Sequence, residues 1–280
     1  MNRSVDPPFG TYRLTPRQKW FREIAAQLPY TYAGRKMASL LLGPAGGRAQ
    51  QPYDVEIFEG ARARLYPFDN IAEKRVFLTP THWDPEERKI LSMEIQGKSS
   101  TPFQFVDVGA NAGLYTLFCL AEARRAGKQL KSLGIEPDPE MARRLRTNVF
   151  VSSASDDVTV LEIAASDHEG TASFEPNRNN RGMNRIDPDG SSEVKTSPLS
   201  AILKRQKIEA IDAMKVDIEG HEITALRPFL EIAAAEMLPT LLMVEISHLA
   251  EREELETLAA KRGYSVLFQN NLNQIFKLVR

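Results

Sequence analysis

The sequence predicts an α/β protein: a doubly wound, seven-stranded, Rossmann-like sheet with an antiparallel terminal hairpin, preceded by an N-terminal helical and hairpin extension. Three observations predict it. Over residues 103–279, short apolar runs alternate with longer segments of helical periodicity, the pattern of parallel strands covered on both faces by helices. The first run ends in Asp107-Val108-Gly109-Ala110-Asn111-Ala112-Gly113 and restarts as an apolar helix, a strand–turn–helix of the kind that opens ligand-binding sheets. The last two runs are separated only by Gln269-Asn270-Asn271-Leu272-Asn273, too short for a parallel crossover.

Taken in order, residues 1–50 read as a helical arm, 51–100 as an accessory hairpin and helix, and 101–280 as the ligand-binding domain. In the arm, Gln18–Leu28 is helical, with Trp20, Phe21, Ile24 and Leu28 on one face that would pack on the domain or make a homodimer. Asp54–Phe58 and Ala63–Tyr66 alternate like strands around Glu59-Gly60. A helix from Asp84 to Gln96 has Pro85 in its first turn, and Gly97–Pro102 has linker composition. Strands follow at Phe103–Val108, Ser132–Glu136, Val158–Ile163, Ala213–Ile218, Leu241–Ile246, Ser265–Phe268 and Gln274–Val279, with helices near 112–126, 138–150, 221–235 and 250–262.

Composition narrows the function classes. A 42% apolar and 26% charged chain of 280 residues can bury a full core without staples. The single cysteine, Cys119, lies in an apolar run and reads as a buried core thiol, so a cytoplasmic setting is expected. No apolar run reaches the ~18 residues a membrane helix needs. Residues 1–50 carry eight Lys/Arg against Asp6 and Glu23, an excess that reads as a solvated surface.

Ligands of such sheets bind beyond the carboxyl ends of the strands. Those ends carry Asp107, Glu136-Pro137, Ser166-Asp167, Asp217-Ile218-Glu219-Gly220-His221 and Glu245-Ile246-Ser247-His248, an acid or histidine at every one. Gly109 and Gly113 permit a sharp turn close to a ligand. Glu136 follows Gly113 by 23 residues, a spacing at which an acid can hold both hydroxyls of a ribose. A dinucleotide enzyme would want a second and third glycine where this chain has Asn111 and Leu114/Tyr115, and its pyrophosphate would face Asp107. No Gly-Lys-Ser/Thr follows the turn, which excludes a Walker loop. An adenosine carrying an amino-acid tail and no phosphate suits the site better, and S-adenosylmethionine is such a ligand. The cofactor-binding set is then Asp107, Gly109, Asn111, Gly113, Glu136, Pro137, Ser166 and Asp167.

The chain resembles the FkbM family of S-adenosylmethionine-dependent methyltransferases. The resemblance rests on Val106–Gly113, Ile135-Glu136-Pro137, and above all Met214-Lys215-Val216-Asp217-Ile218-Glu219-Gly220-His221-Glu222 followed by Val244-Glu245. It covers residues 54–280 and implies the seven-stranded methyltransferase fold, with O-methylation of a small molecule or sugar as the activity. His221 stands where the family commonly has a small residue. The chain also has a basic, Asn-rich insert at Asn177–Arg185.

A hydroxyl acceptor needs its proton removed during attack. Asp217, at the end of the fourth strand, is the first candidate base, with Glu219 and His221 beside it. Asp217 or Glu219 could instead cap the next helix. Glu245, an acid in an apolar strand, needs a partner or ligand, with Lys215 the nearest candidate in sequence pattern. Arg181 and Asn184 of the insert read as a lid that bonds an anionic or polyhydroxylated substrate, with Glu245 and His248 as further substrate contacts. Tyr115 and Phe118 read as helix core rather than adenine stackers. No metal is assigned. Nucleic acid is disfavoured as a partner, because the fourth strand lacks an Asn/Asp-Pro-Pro-aromatic element and stacking platforms are absent. Two other readings are an RNA-binding methyltransferase or non-catalytic adenosine-binding module, and an NAD-dependent oxidoreductase.

Overall fold

The structure, a computed structural model, describes residues 6–99, 102–177, 180–181, 185–187, 189–247, 250 and 252–279. The chain opens with α1 (Pro16–Gln27), which starts two residues earlier than the periodicity predicts. Thr15 and Gln18 form a reciprocal capping box and Pro16 occupies the first helical position, so the start is set by the cap rather than by the apolar face. A second helix, α2 (Tyr32–Leu41), and a third, α3 (Ile71–Leu78), were not read from the sequence. Each is short and is started by one polar side chain: Thr31 accepts from Gly34 N–H, and Asn70 from Glu73 N–H. Between them lies the expected hairpin, β1 (Tyr53–Ile57) paired antiparallel with β2 (Ala61–Leu65). Helix α4 (Pro85–Gly97) then leads to the main sheet.

That sheet is made of β3 (Phe103–Val108), β4 (Leu130–Ile135), β5 (Val158–Leu161), β10 (Ala213–Val216), β11 (Leu241–Glu245), β12 (Tyr264–Gln269) and β13 (Asn273–Leu278). Its order is β12-β13-β11-β10-β3-β4-β5, with β13 alone antiparallel to its neighbours. The short 269–273 connection therefore makes the predicted hairpin, and it also inserts the last strand between β11 and β12. Helices α5 (Leu114–Arg125) and α6 (Pro139–Val151) precede β4 and β5, while α8 (Glu222–Ile232) and α9 (Arg252–Lys261) precede β11 and β12.

Side chains alternate across the central strands, so two cores form. Phe103, Phe105, Met243 and Ile275 face α5, α6 and the N-terminal elements, with Ala25, Ala38, Tyr53, Leu65 and Phe77 in the same cluster. Val106, Val108, Met214, Val216 and Val244 face the opposite way, toward Leu199, Leu226 and Leu255. The N-terminal extension thus covers one face of the sheet. On α1, Phe21 and Leu28 pack against this core, whereas Trp20 remains 57% exposed. Cys119 is fully buried, and burial pushes its thiol well above the usual range.

The segment between β5 and β10 holds a second sheet that the sequence reading did not anticipate. Strands β6 (Ala164–Ser166), β7 (Gly170–Glu175), β8 (Arg185–Ile186) and β9 (Ser192–Pro198) lie in the order β6-β9-β7-β8, followed by α7 (Leu199–Arg205). Among the described residues its own apolar cluster is Ala164, Phe174 and Val194 with Ile186 against it, too little to give an alternating pattern. No helix among the described residues is long and apolar enough to cross a membrane.

Candidate active site

The carboxyl ends of β3, β4 and β10 open into a cleft of about 960 Å³, counting its mouth. Asp107, Gly109, Asn111, Glu136, Pro137, Asp217, Glu219 and His221 all line it, so strand ends far apart in sequence converge as expected.

The turn after β3 depends on two glycines. Gly109 has φ +77°, and a Cβ there would lie 1.8 Å from the Asp217 carbonyl oxygen, so this turn and the end of β10 touch backbone to backbone. Gly113 has φ +83°, and a Cβ there would meet Leu145 Cδ1 at 2.2 Å. Asn111 also lies in the left-handed region, at φ 50°. Its Oδ1 accepts from Ala112 N–H at 2.8 Å and from Asn70 Nδ2 at 2.7 Å, and its Nδ2 donates to the Arg181 carbonyl at 3.2 Å. Asn111 therefore ties the turn to the N-terminal extension and to the insert.

Glu136 accepts from Asn111 N–H at 2.7 Å and from Asp138 N–H at 2.8 Å, which fixes its carboxylate between two turns. Burial pushes its pKa up to about 8, with the two amides pulling the other way. Pro137 and the Asp138 cap, which accepts from Glu140 N–H at 2.8 Å, start α6 directly behind it.

Asp107 does not present its carboxylate to the cleft alone. It accepts from the Thr116 hydroxyl at 2.8 Å and from the Thr116 amide, which caps the first turn of α5. It is also in register with Lys215 on the neighbouring strand. Lys215 is buried under the Tyr115 ring, 4.9 Å from its centroid, and donates to Asp217 Oδ2 at 2.7 Å. Burial opposes the Lys215 charge, but Asp217 and Asp107 outweigh it and hold its pKa above the ordinary lysine value. Burial raises Asp107, partly offset by Lys215. The expected pairing of Lys215 with Glu245 is thus corrected: Lys215 serves the two aspartates, and Glu245 lies outside the cleft with the Ser247 hydroxyl bonded to it.

The turn after β10 carries the three candidate catalytic groups. Glu219 sits at φ 55°, and burial together with Asp217, Glu245 and Glu222 lifts its pKa to about 8. His221 precedes the first turn of α8, and burial lowers its pKa, so the neutral imidazole is favoured. Neither Asp217 nor Glu219 is the residue that braces the turn. That is Glu222, which accepts from Ile218 N–H at 2.9 Å and Gly220 N–H at 3.2 Å. Burial raises it to about 7.

Other expected contacts fall differently. The wall beyond β5 is formed by Ala164 and Ala165, while Ser166 and Asp167 lie just past it; the Ser166 hydroxyl is 3.4 Å from His221 Nε2 and Asp167 pairs with His168 at 2.6 Å. Arg181 lines the cleft, but its guanidinium reaches Asp138 at 3.2 Å and Asp69 at 3.5 Å, pairings that anchor the insert. Asn184 and His248 lie outside the described residues. Tyr115 is buried yet does face the cleft, next to Trp83 at 4.7 Å between centroids, and its hydroxyl donates to Asp84 at 2.9 Å. Trp83, Asp84 and Lys215 were missed as site residues. Lys215 had a signal, a lysine inside the apolar strand Ala213–Val216; Trp83 and Asp84 had none, because their place depends on how the extension packs.

Comparison with known proteins decides the family. Residues 107–269, more than half of the chain, match the family model described as the methyltransferase FkbM domain. The chain belongs to the FkbM methyltransferase family. The matched domain is a methyltransferase domain, and membership implies S-adenosylmethionine as methyl donor. It is 29% identical over 122 residues to a hexuronic acid methyltransferase, AglP, of Haloferax volcanii, covering 43% of this chain and 47% of that protein. It is 29% identical over 167 residues to the methyltransferase sdnD of Sordaria araneosa, covering 48% of this chain and 62% of that one. The chain thus spans about half the length of the curated relatives it matches. The METTL16 methyltransferase domain aligns over 95% of this chain and 96% of its own, with TM-score 0.51 and 13% identity, which shows the shared fold.

Proposed function

We propose that this FkbM enzyme transfers a methyl group from S-adenosylmethionine to a hydroxyl of a small molecule or sugar. The observation that carries the reading is the meeting of Gly109 with the Asp217 carbonyl, which brings the turn after β3 and the acids after β10 to one cleft with Glu136 at its rim. The residues suit the donor. Glu136 can take ribose hydroxyls, Ala164 and Ala165 leave an apolar wall for a base, and Asp84, Asp107 and Asp217 favour a cation over a phosphate. When bound, the donor supplies a sulfonium methyl: the new O–CH3 bond forms as the S–CH3 bond breaks, and neutral S-adenosylhomocysteine is left.

The protein's own part is positioning, water exclusion and one proton. Asp217, at the end of the central strand and held by Lys215, is placed to accept the hydroxyl proton. Glu219 carries its proton near neutral pH and so can donate a hydrogen bond but not accept that proton. His221, kept neutral by burial, is the second candidate acceptor. The name of the archaeal relative favours a saccharide acceptor. The test is methyl transfer from labelled donor to a panel of free sugars, uronic acids and sugar phosphates. Alkali-stable product on a hydroxyl supports the reading; transfer only to nitrogen or to ester-forming carboxylates rejects it.

A further inference from the structure

A second basin of about 1090 Å³, counting its mouth, adjoins the cleft and shares Trp83 and Asp84 with it as a common wall. The far side of this basin is built by the N-terminal extension, which the matched family region does not include. Three cations line it: Arg35 from α2, and Lys74 and Arg75 from α3. No ion-pair partner within 4.0 Å accompanies any of the three among the described residues, and each lies on a half-buried or exposed position where its charge stays solvated. The two acids in the wall are already engaged. Asp84 accepts from the Tyr115 hydroxyl, and Glu87 accepts from Asn270 at 2.7 Å and Asn273 at 2.9 Å. Arg35 lies over the Tyr30 ring, 5.2 Å from its centroid, and both residues line the basin.

We propose that this basin is the acceptor subsite and that Arg35, Lys74 and Arg75 hold an anionic group, carboxylate or phosphate, on the molecule to be methylated. This rests on the methyl-transfer reading of the adjoining cleft, and it narrows that reading to an anionic acceptor. Cations from two helices converge on one concave surface, a geometry that suits several oxygens of one anion better than separate surface charges would. The acceptor's hydroxyl end then reaches past Trp83 and Asp84 toward Asp217, while its charged end stays in the basin. The same placement explains why a cluster of cations stands beside a cleft whose own walls are rich in acids. Charge separates the two ends of the bimolecular site, cation to the cleft and anion to the basin.

The experiment is calorimetric titration of the full chain, saturated with S-adenosylhomocysteine, with glucuronate, glucose 6-phosphate and neutral glucose. The expected result is binding of glucuronate or glucose 6-phosphate and none of glucose; which of the two binds tells carboxylate from phosphate. In the variant R35Q/K74Q/R75Q the anion should bind about tenfold or more weakly, because charge-assisted hydrogen bonds are lost, with affinity for S-adenosylhomocysteine unchanged. The charge-keeping variant R35K/K74R/R75K should retain anion binding, which separates the effect from misfolding. Equal binding of glucose and the anions, no anion binding, or full anion binding by the glutamine variant would overturn the proposal. If S-adenosylhomocysteine fails to bind while the anion still depends on the three cations, the donor reading falls and the anion subsite stands.

Discussion

Lys215 Nζ lies 2.7 Å from Asp217 Oδ2 and, in the next strand, Lys215 is in register with Asp107, so one buried ammonium serves two carboxylates. The pair joins the turn that would cradle the donor to the turn that carries the candidate base. Substituting Lys215→Met should leave Asp107 buried beside Asp217 with no cation and cost about 3 kcal/mol. Adding Asp107→Asn should recover part of that loss. Urea unfolding of the single and double variants measures both; an additive pair of losses would show that the two residues do not interact.

The contact of Gly109 with Asp217 predicts a contrast between two glycines of similar backbone. Gly127, at φ +66°, has nothing within 4 Å of an added Cβ, so Gly127→Ala should cost only the left-handed strain of about 1 kcal/mol. Gly109→Ala adds a clash with a backbone carbonyl and should cost several times more, with loss of donor binding. Equal thermal shifts for the two variants would mean the turn can move away from β10.

Stability should also depend on pH through the buried acids. Glu219 has a folded pKa of about 8 against an ordinary 4.5, so its contribution is fully present below about pH 4.5 and is lost as pH rises through 8. Unfolding free energy should therefore fall between about pH 5 and about pH 8.5, and fall less in Glu219→Gln. Chemical denaturation across that range checks it. Parallel curves for parent and variant would place the Glu219 titration elsewhere.

For the proton, Asp217→Asn should keep donor affinity and lower kcat by about a hundredfold or more. His221→Asn should cost less than about tenfold and shift the acid limb of the pH profile. Single-turnover rates with labelled donor decide between them. The reverse order would transfer the base role to His221.

Much of this arrangement was legible in the sequence because it is local. The strand that ends in Asp107, the glycine turn and the acid 23 residues after Gly113 are each set within one βα unit, where apolar periodicity and glycine chemistry act at short range. The pairing of the last two strands followed from a short connection that permits only a hairpin, whereas the order of the other strands was not read from the sequence. What escaped was long-range or weakly patterned. The sheet β6–β9 has too few apolar residues to alternate visibly, and α2 and α3 are short helices held by single caps and by packing. Trp83 and Asp84 line the cleft beside Tyr115 of α5, and Trp83 also stacks on Phe58 next to the hairpin, contacts between segments far apart in sequence. Asp107 was recognised as a site residue, but its capping of α5 through Thr116 depends on a side-chain rotamer that no spacing reveals.

Glu136 is the group through which the cleft is proposed to hold the methyl donor. Titration of S-adenosylhomocysteine into the parent chain and into Glu136→Gln tests it most directly, with NAD as the competing ligand. At about pH 9, where Glu136 is ionised, binding to the parent is expected, with affinity at least about tenfold weaker in Glu136→Gln because charge-assisted bonds to the ribose are lost, and no binding of NAD. Equal affinity in parent and variant, or binding of NAD in place of S-adenosylhomocysteine, would contradict it.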